Sequence, residues 1–77
     1  MIVRRTVYTS PVDALTALIR SLIVYEQQYH MSSPDFYARY QQGEMGDTAD
    51  MVEWAGSYQH YLQLKAELEQ KLVATSQ

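Results

Sequence analysis

Met31-Ser32-Ser33-Pro34-Asp35-Phe36-Tyr37-Ala38-Arg39-Tyr40-Gln41-Gln42-Gly43-Glu44-Met45-Gly46-Asp47 holds a helix start, a helix stop and a second start in one stretch. Ser32 or Ser33 can cap the first helix, and Pro34 fits its first turn, where a missing N–H is no loss. Gly43 stops that helix after Gln42, because glycine takes the helix-ending positive φ without steric cost. The spacing therefore predicts a short helix over 34–42 with Phe36, Tyr37 and Tyr40 on its apolar side. Gly43 to Gly46 forms a tight connection in which both glycines can adopt positive φ. Asp47 is the expected cap of a third helix, with Asp50 in capping-box register.

Working outward from this corner, Ser10 is the expected cap of the upstream helix, with Pro11 at its first position and Asp13 completing a capping box. Val12, Leu15, Leu18, Ile19, Leu22, Ile23 and Tyr29 then recur in steps built from three and four residues, which predicts a helix over 11–30, about 30 Å long. Downstream, Met51, Trp54, Ala55, Tyr58, Tyr61, Leu62, Lys65, Leu68 and Leu72 predict a helix over 47–73, about 39 Å long. Residues 74–77 are expected to be a frayed tail. Met1 to Tyr8 is β-branched and aromatic and reads as a strand over 1–8. A lone strand cannot satisfy its own backbone, so it would have to pair with a copy of itself or with another protein.

Seventy-seven residues allow one domain, 1–77. A compact globule of that length is only about 30 Å across, so the third helix overhangs any monomeric core. A second copy is its expected cover. The fold class is mainly α: an N-terminal strand, then long, short and long helices in a small bundle, expected to be dimeric. A composition of 47% hydrophobic and 12% aromatic residues is that of a folded chain. The absence of cysteine excludes disulfides, thiolate metal sites and a thiol nucleophile. The longest apolar run, Leu22-Ile23-Val24-Tyr25, is far shorter than a membrane span, and no secretory signal is evident, so a cytoplasmic location is expected.

Charge divides unevenly. Arg4, Arg5 and Arg20 against Asp13 and Glu26 leave residues 1–30 at +1. Arg39, Lys65 and Lys71 against Asp35, Glu44, Asp47, Asp50, Glu53, Glu67 and Glu69 leave residues 31–77 at −4. Most of the molecule would repel nucleic acid. Arg4 and Arg5 are the candidate DNA contacts, by comparison with repressors that insert a paired ribbon into the major groove. Adjacent strand residues point to opposite faces, so only one of the two could read bases from one face.

Catalysis has little to draw on. Ser10, Ser32 and Ser33 are accounted for as helix caps, and His30, at a helix end, suits the macrodipole when protonated. The chain is expected not to be an enzyme and to need no cofactor. Glu44, Asp47, Asp50 and Glu53 are acidic, but they lack the ligand spacing of a calcium loop and serve caps and first turns instead. No metal site is expected. Seven tyrosines, with Phe36 and Trp54, are the strongest feature. Tyrosine suits an interface, where its ring is buried and its hydroxyl finds a partner. Tyr37, Tyr40, Trp54, Tyr58 and Tyr61 are therefore the candidate partner-binding residues. Tyr37 and Tyr40 lead, because they lie on a short helix with few other anchors.

The same corner carries a resemblance. Tyr29-His30-Met31-Ser32-Ser33-Pro34-Asp35-Phe36-Tyr37-Ala38-Arg39-Tyr40 and Gly43-Glu44-Met45-Gly46-Asp47, continuing into Asp50-Met51-Val52-Glu53-Trp54, resemble a group of short bacterial proteins common in cyanobacteria. They share the pattern Y-x-M-S-S-x-x-F-Y-x-R-[YF]-x-x-G-E-[ML]-G-D-x-x-D-x-x-E-W and look like antitoxins encoded beside small toxins. The resemblance covers about residues 25–70. It implies a non-enzymatic module that sequesters a small toxin protein. A dimeric DNA-binding regulator and a structural or adaptor homodimer are the alternatives. Read as structure, the signature is a brace: Gly43 and Gly46 bracket a turn, Asp47 caps, and Arg39 pairs with Glu44 or Asp47.

Overall fold

The computed structural model describes residues 10–75. Among them are three helices and no strand: α1 (Pro11–Tyr29), α2 (Ser33–Gln41) and α3 (Ala49–Thr75). The expected strand over 1–8, with Arg4 and Arg5, lies outside the described residues. None of the described helices is long and apolar enough to cross a membrane.

Each boundary has a local cause. Ser10 caps α1 by accepting the Asp13 N–H at 3.2 Å, as expected, and Pro11 occupies the first turn. The helix ends where His30 turns left-handed, with φ 55°, and both the His30 and the Met31 N–H donate to the Glu26 carbonyl. Ser32, not Ser33, caps α2: its hydroxyl accepts the Asp35 N–H at 3.2 Å. Ser33 is already helical, and its side chain is drawn into the core. Gly43 and Gly46 have φ of 79° and 74°, the left-handed region that glycine enters freely. Asp47 is not the cap of α3. Thr48 takes that place, its hydroxyl accepting the Met51 N–H at 3.3 Å and its carbonyl the Val52 N–H at 2.9 Å. It is the Arg39 carbonyl that ties the connecting loop to α2, accepting from Gln42 and Glu44.

α1 and α3 form the main packing interface, with α2 laid across one end of the pair. Tyr25 bonds Glu53 and Tyr29 bonds Asp50, so rising numbers in α1 meet falling numbers in α3 and the two run antiparallel. In that register Pro11 lies level with Glu67 or Leu68, and α3 continues for about 10 Å beyond it. The expected overhang is present. Among the described residues the core is small: Leu22, Phe36, Met51, Trp54 and Ala55 are its buried apolar residues, with half-buried Tyr25, Tyr29, Met31, Tyr37, Tyr40, Met45, Tyr58 and Tyr61 packed around them. Extents of 41 × 40 × 18 Å make the molecule a thin slab. Its radius of gyration is 14.9 Å, against about 11.5 Å for a compact chain of this length.

Candidate protein-docking surface

Trp54 organises the corner from beneath. It is completely buried, stacked on Phe36 with ring centroids 3.8 Å apart and planes 2° from parallel. Tyr25 and Tyr29 stack on it at 5.6 Å each. Its indole Nε1–H donates to the Ser33 hydroxyl at 2.9 Å, and Ser33 is itself 1% exposed. Trp54 is thus a core residue and cannot be the partner contact anticipated for it; an indole whose only polar atom is satisfied inside the protein packs well there. The second Ser of the Ser32-Ser33 pair is the indole's acceptor, and so it is not the cap.

The other four candidates come together. Tyr40 and Tyr37 on α2 have ring centroids 6.5 Å apart, Tyr37 meets Tyr58 on α3 at 5.3 Å, and Tyr58 meets Tyr61 at 5.9 Å. All four are half-buried, so they form one continuous strip with backing on one side and water on the other. The Tyr37 hydroxyl accepts from Gln59 Nε2 at 2.6 Å, fixing the middle of the strip to α3. At one end, Tyr40 lines a hollow with Gly43, Gly46 and Asp47, which sets an exposed carboxylate beside the ring. At the other end, Tyr58 and Tyr61 enter a groove of 380 Å³ between α1 and α3, also lined by Ile19, Ile23, Leu62, Glu26 and Lys65.

The remaining tyrosines in the corner hold the helices together. Tyr25 Oη donates to Glu53 Oε1 at 2.9 Å, and Tyr29 Oη donates to Asp50 Oδ2 at 2.5 Å. Donation to Glu53 and partial desolvation push the Tyr25 hydroxyl up from 10.0 to about 12. Donation to Asp50 raises that of Tyr29. Two of the acidic residues considered as cation ligands, Asp50 and Glu53, are therefore acceptors in interhelical clasps. Among the described residues no three His, Asp or Glu gather to hold a metal ion.

Glu26 was missed by sequence reasoning, which counted it only as a charge. Its Oε2 accepts the Ser33 N–H at 2.7 Å, satisfying an otherwise orphan donor in the first turn of α2. Its carbonyl meanwhile closes the end of α1. A glutamate four residues before a helix stop and seven before a helix start was the available signal.

No family model matches the chain, and no curated protein or solved structure proves similar to it.

Proposed function

We propose that the chain is a protein-binding module of the antitoxin type, which covers a small basic partner protein with the aromatic and acidic surface at its α2 corner. The observation that carries this reading is the continuous strip formed by Tyr40, Tyr37, Tyr58 and Tyr61. Tyrosine supplies a large, stiff, amphipathic contact area and loses little rotamer freedom on binding. These rings are already held by the core, so less ordering remains for the complex to impose. Asp47 beside Tyr40, with exposed Asp35 and Glu44 nearby in sequence, gives the surface the sign that attracts a basic partner.

The mechanism is steric. Covering the partner's working surface needs no chemistry from this chain. The same reading is the one that the resemblance drawn from the sequence of residues 25–70 implies. Within that signature, Phe36 and Trp54 make the core while Gly43 and Gly46 make the turn. The outward-facing aromatic positions Tyr37 and Tyr40 are then left to meet the partner.

Co-purification with the product of the adjacent gene tests the proposal. A complex should form, relieve that product's toxicity, and associate more slowly as salt rises. Tyr37→Ala with Tyr40→Ala should weaken it at least about tenfold, with the helical circular dichroism retained. A harmless neighbour that never associates would overturn the reading.

A further inference from the structure

The groove between α1 and α3 lies beside the tyrosine strip, and its lining is self-complementary. Its centre is apolar and open to water: Ile19 is 38%, Ile23 45% and Leu62 40% exposed. Val12, seven residues before Ile19, and Leu72, seven after Lys65, are more exposed still, at 60% and 69%. Seven residues are close to two helical turns, so each continues the row it belongs to. The groove ends differ in sign. Glu26 stands at the α2 end and Lys65 at the other.

The register set by Tyr25–Glu53 and Tyr29–Asp50 fixes the positions along the groove. Lys65 lies level with Asp13 or Ala14, so it is about 19 Å from the level of Glu26 at 1.5 Å per residue. The midpoint falls near Ile19 and Tyr58. Leu62 lies level with Thr16 or Ala17, as far from that midpoint on one side as Ile23 is on the other. A half-turn about an axis through the midpoint therefore lays Ile23 against the level of Leu62 and Glu26 against the level of Lys65, twice over. That is the reciprocity an isologous two-fold interface requires.

We infer that this groove is the dimer interface of the protein: a second copy packs against it antiparallel, the Ile19, Ile23 and Leu62 surfaces meet at the centre, and Glu26 of each copy pairs with Lys65 of the other. Glu26 keeps its bond to the Ser33 N–H in this arrangement, since a carboxylate offers about four acceptor positions and Ser33 uses one. The slab shape agrees, because an 18 Å thickness leaves the apolar rows near the surface until a second slab covers them. A basic partner would not suit the Lys65 end. The second copy takes the Tyr58–Tyr61 end of the strip and leaves Tyr37 and Tyr40 to the partner protein, so loss of the dimer is read at Ile23 and Lys65 and loss of the partner at Tyr37 and Tyr40.

Sedimentation equilibrium on the full chain tests the inference. The unaltered protein should be dimeric in the micromolar range. Ile23→Glu should render it monomeric, and Lys65→Glu, which sets two glutamates together, should raise the dimer Kd at least about tenfold. Both positions are exposed, so each variant should keep its helical circular dichroism. Glu26→Lys alone should also dissociate, yet mixed with Lys65→Glu it should form a heterodimer, because both cross-pairs are then opposite in sign. Should Glu26→Lys fail to fold, Lys65→Gln decides: a dimer weaker than the unaltered protein but stronger than Lys65→Glu supports the pairing. A monomeric unaltered protein, or a dimer that none of these changes affects, overturns the inference. So does a groove whose Ile23→Glu variant loses a different protein while remaining dimeric.

Discussion

Glu26 closes three backbone donors from one position: its carbonyl takes the N–H groups of His30 and Met31, and its carboxylate takes that of Ser33. Glu26→Ala removes only the last, and should lower stability by about 1–2 kcal/mol, as loss of a cap does. Glu26→Gln, which keeps an acceptor, should recover most of the loss in a urea titration. Ser33→Ala is a sharper case, because it strands the buried Trp54 N–H; a cost of about 1–3 kcal/mol is expected in the same measurement. His30 offers the opposite sign. It holds a left-handed φ of 55° without a glycine's freedom, so His30→Gly should raise the melting temperature, by up to about 1 kcal/mol of added stability. Glu26 and Ser33 were not legible in the sequence as what they are. A carboxylate that caps the next helix and a hydroxyl that accepts from an indole acquire those tasks only when α1, α2 and α3 meet.

Helix existence was plain from the chain because Pro11, Pro34, Gly43 and Gly46 punctuate it, and each does so through its own backbone preference. Helix starts were less plain wherever two cap-type residues adjoin. At Ser32-Ser33 the choice is settled by Trp54, and at Asp47-Thr48 the structure takes the residue whose hydroxyl reaches the Met51 N–H. Tertiary packing selects between caps of nearly equal propensity. The same packing turns Asp50 and Glu53, which read as first-turn acids, into acceptors for Tyr29 and Tyr25. These clasps join α1 to α3 and carry a pH dependence. In the folded state both phenols ionise later than in the unfolded chain, whose tyrosines keep the ordinary value near 10.0. The stability from the Tyr25 clasp is therefore fully present below pH 10 and is lost as pH rises towards about 12. Spectrophotometric titration should show the Tyr25 and Tyr29 phenols ionising above the ordinary value of 10.0. Replacing Tyr25 and Tyr29 by Phe should abolish those late steps and flatten the alkaline limb of the stability profile.

Taken whole, the molecule rests on very little interior. Among the described residues, five buried apolar side chains hold together a slab of three helices, and Trp54 stacks on Phe36, Tyr25 and Tyr29. Trp54→Ala should cost about 3–5 kcal/mol, comparable to the about 3–5 kcal/mol a core of this size supplies. The variant should be largely unfolded by circular dichroism at room temperature. The tyrosine strip was half legible at this scale: the helical spacings 37/40 and 58/61 put each pair on one face, but only the packing of α2 across α3 joins the pairs. Trp54 was misjudged because spacing alone does not separate a ring under a surface from one on it. Its position also makes the protein its own optical reporter. A lone indole stacked between two phenols and a phenyl ring collects the excitation of nearby tyrosines, so the native state should emit as tryptophan alone. Tyrosine emission should return when the corner opens, and its recovery would time the separation of α2 from the long helix pair without any attached dye.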